Sequence, residues 1–329
     1  MADNTDRCNR EITYLRVSIT DRCNLRCLYC MSPRGVRLLD HADILSYEEI
    51  LRVVEVSARL GITKVRLTGG EPLLRRNVCE LVRAITNVPG VQDVSLTTNG
   101  VLLQDMARPL RDAGLRRINV SLDTLSPLNF RRITRRDLYS DVWRGIREAE
   151  TVGFDPIRIN VVTIRGINDD ELGRFAQLSR EKPYSFRFIE YMPTGNLDDW
   201  DVWKFMPADE IRTRLEEYGP LLAIPRNGSD GPSCRFRFPD GVGEIGLISP
   251  ISHHFCDSCN RLRLTADGKL RSCLFSDFEV DVKGPLRDRC SDTELARLIR
   301  ESIAKKPKKH GITTETKQGR LPAMSRIGG

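Results

Sequence analysis

No apolar run in this sequence approaches the ~18 residues that span a bilayer, so no membrane partner is expected. There is no internal repeat and no low-complexity tract, which sets aside a solenoid or a disordered array. The opening residues, Met-Ala-Asp-Asn-Thr-Asp, are acidic and polar. They lack the pattern of a signal peptide or of an Arg-rich transit peptide, and the expectation is a chain retained in the cytoplasm of a bacterium. Lysine is scarce, 10 residues against 42 arginines, with a net charge of +7. Arginine's planar fork suits phosphate, although genome composition explains such a bias as well. No basic stripe is interleaved with aromatics, so nucleic acid is not the expected partner.

What the chain does have is cysteine, ten residues at 8, 23, 27, 30, 79, 234, 256, 259, 273 and 290. A secreted disulfide framework wants a signal peptide and a shorter chain; clustered thiols in a reducing compartment more often bind metal. Six of the ten form two groups. Cys23, Cys27 and Cys30 are spaced C-x3-C-x2-C, a soft, thiolate-rich set of the kind that holds iron–sulfur clusters. A cubane usually takes four cysteines, and this stretch stops at three. One iron would be left open for chemistry; a structural zinc site completed from elsewhere is the alternative. Cys256, Cys259 and Cys273 are spaced C-x2-C-x13-C, with Cys290 further on and His253 and His254 just upstream. There zinc and iron–sulfur stand level.

With 329 residues, 40% hydrophobic and 29% charged, the chain has the size and composition of one large or two moderate globular domains. Strand patterns at 14–19, 64–68, 91–97, 116–121, 157–164 and 185–190 alternate with helical periodicity at 47–60, 76–87, 104–113, 138–151 and 169–180. Ser46 and Glu49 form a capping-box pattern, and Gly61 a stop. Six βα-type units imply a parallel sheet, either a partial βα barrel or an open doubly wound sheet. Ligands then sit at the C-terminal strand ends. The distinctive loops follow strands, as that rule requires: Cys23–Cys30, Gly69–Pro72, Thr97–Gly100 and Ser121–Asp123. The rhythm ends near 193, a helix is expected over 207–218, and the rest reads as turn-rich with short β patterns at 235–238, 244–248 and 261–265. The expected division is 12–205 and 206–329.

C-x3-C-x2-C together with Gly69-Gly70-Glu71-Pro72 resembles the radical S-adenosylmethionine (SAM) superfamily. The resemblance implies a partial (βα)6 TIM-type barrel with a smaller C-terminal cluster-binding domain. It implies a 4Fe–4S cluster on Cys23, Cys27 and Cys30, with SAM on the open iron. For SAM it implies contacts from Tyr29, Gly70, Glu71, Thr98, Asn99, Ser121, Arg158 and Met192. Read alone, the glycines are a turn and the hydroxyls are caps.

The stretches Leu15–Cys27, Gly243–Ile248, Phe255–Phe275 and Met324–Gly329 narrow the resemblance to a two-cluster branch of that superfamily, whose members are lyases that cyclise GTP at the first step of molybdenum cofactor biosynthesis. This implies a second 4Fe–4S cluster on Cys256, Cys259 and Cys273. It implies GTP contacts from Arg16, Lys64, Arg66, Arg187, Arg261 and Arg263, any of which would otherwise read as a surface charge. It also implies a tail, Gly328-Gly329, that reaches the active site. A flavodoxin or ferredoxin reductant, a homodimer, and transfer of product to cyclic pyranopterin monophosphate synthase follow from the same resemblance. Arg158 stands where the family usually has Lys. The run Lys305-Lys306-Pro307-Lys308-Lys309 reads as a solvated surface segment.

Overall fold

The computed structural model describes residues 4–193, 200–225, 231–315 and 324–327. Six parallel strands follow the expected rhythm: β1 (Tyr14–Ser18), β2 (Lys64–Thr68), β3 (Asp93–Thr98), β4 (Arg117–Ser121), β5 (Arg158–Thr163) and β6 (Ser185–Glu190). Each alternates in chemistry. Leu15 and Val17, Val65 and Leu67, Ile118 and Val120, Ile159 and Val161, Phe186 and Phe188 are buried on one face. The residues between them are mostly polar or cationic. A strand's side chains alternate between faces, so one face packs the core while the other lines a polar interior.

Helices α1 (Tyr47–Arg59), α2 (Val78–Thr86), α3 (Leu103–Asp112), α4 (Pro127–Thr134), α5 (Tyr139–Thr151) and α6 (Leu172–Glu181) are the crossovers. α1 starts on the expected capping box: Ser46 accepts from Glu49 N at 3.1 Å and Glu49 returns to Ser46 N at 2.7 Å. It stops at Gly61, whose φ of +99° suits glycine. α4 lies outside the sequence reading; its signal was Ser126 as N-cap with Pro127 at the first helical position.

Beyond residue 205 come α7 (Ala208–Glu216), β7 (Leu222–Ile224), β8 (Cys234–Arg237), β9 (Glu244–Ile248), β10 (Arg261–Leu264), β11 (Lys269–Arg271), β12 (Val280–Asp281), α8 (Lys283–Arg287) and α9 (Asp292–Ala304). A four-residue helix, α10 (Met324–Ile327), follows. The turn-rich expectation misses α9, although Ser291 caps it by accepting from Glu294 N, and Leu295, Leu298, Ile299, Ser302 and Ile303 bury one helical face.

Among the described residues all twelve strands form one sheet, ordered β12-β11-β10-β1-β2-β3-β4-β5-β6-β9-β8-β7. β10 pairs parallel with β1, and β9 parallel with β6. The C-terminal stretch thus widens the six-stranded half-barrel at both edges. No helix among the described residues is long and apolar enough to cross a membrane.

Candidate active site

The first thiol loop is clamped on two sides. On one, Arg26 N and Leu28 N donate to Thr134 O and Ile133 O at the end of α4, both at 2.9 Å. Arg135 Nη1 donates to Arg26 O and Met31 O at 3.0 Å each. On the other, Gly70 N donates to Thr20 O and Glu71 N to Arg22 O, both at 2.7 Å. A Cβ on Gly70 would stand 2.3 Å from Arg22 O. The glycine pair therefore admits the cysteine loop's own backbone.

Glu71 is wholly buried and does not line the cavity. Its carboxylate accepts from Thr98 Oγ1 at 2.8 Å, Asn99 N at 2.7 Å and Leu73 N at 3.0 Å. Burial pushes it up to about 7, against those three donors. These bonds orient Thr98 and Asn99. Asn99 Nδ2 in turn donates to Asn24 Oδ1 at 2.7 Å and lies 3.9 Å from Cys23 Sγ. Tyr29 donates to Asp123 Oδ2 at 2.7 Å. Burial pushes Cys23 up to about 11, Cys27 well above a thiol's usual range and Cys30 up to about 12. The second cause for Cys27 is Cys30, and for Cys30 it is Cys23; Asp123 adds to both.

The second thiol group lies among cations. Arg10, in a buried ion pair with Asp6 at 2.6 Å, donates to Cys256 O at 2.7 Å and to Pro307 O at 2.8 Å. Lys306 is buried, and its ammonium donates to Arg261 O at 2.7 Å and Ser272 O at 2.5 Å. It also hydrogen-bonds Cys259. Burial raises Cys259, yet Lys306 and Arg261 outweigh it and bring the thiol down to about 7. The expectation of a solvated lysine run is thus corrected at Lys306, the turn after α9 being folded under the thiol group. The other ligand candidates lie elsewhere. His253 is exposed on Asp209 at 2.6 Å, and Cys290 packs against the main core outside the cavity. His310, which sequence reasoning passed over, does line the cavity, its ring against Phe275.

One cavity of about 360 Å³ brings the groups together. Cys23, Cys27, Cys30, Cys256, Cys259 and Cys273 all line it. So do Tyr29, Gly70, Thr98, Asn99, Ser121, Arg158 and Met192, and Arg16, Lys64, Arg66, Arg187, Arg261 and Arg263. Strand register explains the assembly. Arg261, Tyr14 and Lys64 form one row across β10, β1 and β2, and Arg263, Arg16 and Arg66 the next. Arg66 continues to Ser95 and Arg117. Arg117 and Tyr14 are cavity residues that sequence reasoning missed; alternation with Asn119 and Arg16 was their signal.

These guanidiniums repel one another in a partly dry space. Arg16 and Arg187 are driven well below arginine's usual range, first by burial and then by Arg263 and Arg158 respectively. Arg263 falls to about 10 by burial and Arg261, and Arg117 to about 10 by burial and Arg158. Arg158 and Arg187 each bury an Nε without a hydrogen-bond partner. Such a wall calls for a polyanion. Gly328 and Gly329 lie outside the described residues; just before them, Met324 lines the cavity and Ile327 O accepts from Arg263 Nη1 at 3.5 Å.

Each three-thiol group offers soft donors of the kind that hold iron–sulfur clusters, so the residues present fit a cluster in which one iron has no protein ligand.

Comparison with known proteins agrees with this geometry. Residues 17–179 match the family model of the radical SAM superfamily, and residues 184–312 that of Molybdenum Cofactor Synthesis C. A GTP 3′,8-cyclase of Moorella thermoacetica is 50% identical over 98% of this chain and 99% of its own length. One of Desulforamulus reducens is 48% identical over the same shares. Streptococcus suis SuiB, in a crystal structure with S-adenosylmethionine, matches the fold with a TM-score of 0.59 at 16% identity, covering 88% of this chain and 67% of that one.

Proposed function

Because this chain belongs to the GTP 3′,8-cyclase family of the radical SAM superfamily, we propose that it cyclises GTP to 3′,8-cyclo-7,8-dihydroguanosine triphosphate, the first step of molybdenum cofactor biosynthesis. The observation that carries the reading is the single cavity lined by both three-thiol groups and by a wall of arginines. A radical SAM protein uses SAM and a 4Fe–4S cluster; when bound, they supply a 5′-deoxyadenosyl radical. Cys23, Cys27 and Cys30 hold that cluster, leaving one iron for SAM. Cys256, Cys259 and Cys273 hold a second cluster of the same type, with Lys306 tying together the two segments that carry them.

Tyr29, Gly70, Thr98, Asn99, Ser121 and Met192 shape the SAM side, with Glu71 acting through Thr98 and Asn99. Arg16, Lys64, Arg66, Arg187, Arg261 and Arg263 hold the triphosphate, aided by Arg117. Arg158 joins them, since Arg66 is the neighbour that perturbs it most after burial. A substrate carrying about four negative charges relieves the mutual repulsion of that wall and satisfies its unpaired donors. With GTP seated, the cavity's close walls hold ribose C3′ and guanine C8 together and exclude water. Gly328 and Gly329 are the tail that the family resemblance assigns to the action on GTP. The reading extends to a flavodoxin or ferredoxin reductant, a homodimer, a bacterial cytoplasmic setting, and delivery of product to cyclic pyranopterin monophosphate synthase. It treats 12–205 and 206–329 as the working units.

The test is chromatography of 5′-deoxyadenosine and nucleotides after anaerobic loading with iron and sulfide, with SAM and dithionite, with and without GTP. The expected result is GTP-dependent 5′-deoxyadenosine matched by a new product isomeric with GTP. 5′-Deoxyadenosine that ignores GTP would reject the substrate.

A further inference from the structure

We propose that the exposed face of α4, together with the loop that follows Cys30, is the docking surface for a small acidic one-electron carrier protein. This goes beyond the substrate reading and rests on the radical SAM assignment alone. Each SAM cleavage takes up one electron that the chain's own side chains do not supply. A flavin hydroquinone carrier, for example, gives up that electron and becomes the semiquinone. The electron breaks the sulfonium carbon–sulfur bond, leaving methionine and the 5′-deoxyadenosyl radical. The electron enters where the first thiol group comes nearest to a surface that can receive the carrier.

α4 is that surface. Its last two carbonyls, Ile133 O and Thr134 O, accept from Leu28 N and Arg26 N at 2.9 Å, within the C-x3-C-x2-C loop itself. Its buried side is Phe130, Ile133 and Thr134. Its outer side is Leu128, 77% exposed, followed at i+3 and i+4 by exposed Arg131 and Arg132. Arg136 is exposed just past the helix, followed by the exposed carboxylate of Asp137. Arg34 and Arg37 are exposed in the loop after Cys30. That loop is tied to α4 through Arg135, which bonds Arg26 O and Met31 O at 3.0 Å. An exposed leucine with Arg131 and Arg132 beside it on the helix surface is the layout of an apolar anchor with a charged rim. The rim's sign selects an acidic partner and steers its encounter. A second copy of this chain meeting the patch symmetrically would set arginine against arginine, which disfavours self-association there.

The test compares electron sources on the iron-loaded full chain, reading 5′-deoxyadenosine with SAM and GTP. One source is dithionite, which needs no docking; the other is reduced flavodoxin. Arg131→Glu with Arg132→Glu should raise the KM for flavodoxin about tenfold at low salt, a gap that narrows as salt screens it. Dithionite-driven formation should stay within twofold of the parent. Arg131→Lys with Arg132→Lys, which keeps the charge, should stay near the parent with both sources. An unchanged KM for flavodoxin in the charge-reversed protein overturns the proposal. So does an equal loss with both sources, which would place the effect in the site rather than at the surface. GTP-independent 5′-deoxyadenosine would count against the substrate and leave this comparison readable.

Discussion

The two thiol groups face the same cavity from unlike surroundings. Around Cys23, Cys27 and Cys30 the nearby ionisable neighbours include carboxylates, Asp123 and Glu71, with Arg26 the nearby cation, and all three thiols are raised. In the second group burial raises Cys256 as well, but around Cys259 the neighbours are Lys306 and Arg261, and that thiol falls to about 7. In the proposed reading the difference sorts two ligands by charge. SAM, a sulfonium with an amino-acid end, lies on the side that Asp123 lines. The triphosphate lies on the side where ammonium and guanidinium groups gather.

The sharpest way to break that division is to remove one ligand from each group. Cys27→Ser should abolish 5′-deoxyadenosine altogether, because SAM loses its iron. Cys259→Ser should keep 5′-deoxyadenosine formation and lose the cyclised product. Iron analysis should show each variant short of roughly half the parent's metal, as expected when one of two cubanes is lost. If both variants lose 5′-deoxyadenosine equally, the groups do not divide the work.

Next in size is the arginine wall. Arg187 is buried with an unpartnered Nε and is depressed by burial and Arg158. Arg187→Met should raise the KM for GTP about thirtyfold, the equivalent of one lost charge-assisted hydrogen bond at ~2 kcal/mol. The same change should raise the Tm of the ligand-free protein, since it removes an uncompensated buried charge. A lower Tm would show that Arg187 holds the fold rather than the substrate.

Much of this was legible in the sequence, for reasons that differ by element. β1 to β6 were visible because a buried face alternates with a polar one, and α1 because Ser46 and Glu49 announce its start. The thiol groups were visible because ligands to one cluster lie close in the chain. The partners of Glu71 were not legible because a carboxylate beside glycines looks the same whether it faces a ligand or Thr98 and Asn99. Lys306 was misplaced because a run of four lysines around a proline has the composition of a solvated segment. Only the fold shows that one of them turns under Cys259. Arg117 was overlooked because alternation puts it on one face with Asn119 without saying which face turns inward, and its register with Ser95 and Arg66 settles that.

Lys306→Met tests whether the cationic side is built or incidental. It leaves Arg261 O and Ser272 O without their donor, a cost of about 1–3 kcal/mol for each acceptor left buried. Formation of cyclised product should fall about tenfold, the lower end of what outer partners of metal ligands contribute. Dithionite-driven 5′-deoxyadenosine should persist. Lys306→Arg, which keeps the charge, should recover part of the loss. Equal damage to both outputs would mean that Lys306 supports the whole fold and not one side.

The smallest contrast lies at Arg158, on the boundary between the two sides. Its position suggested a SAM contact, but in the fold it stands among Arg66, Arg187 and Arg117, with an unpartnered buried Nε. Arg158→Lys keeps the charge and gives up the fork, trading two directed donors for a compact ammonium. If the residue belongs to the triphosphate side, the KM for GTP should rise about threefold, ~0.7 kcal/mol, at the weak end of a hydrogen bond's net contribution. The KM for SAM should not move. The opposite pattern would return Arg158 to the SAM side and shift the boundary of the cationic wall to Arg187. Charge would still divide the cavity, but one strand further along the sheet.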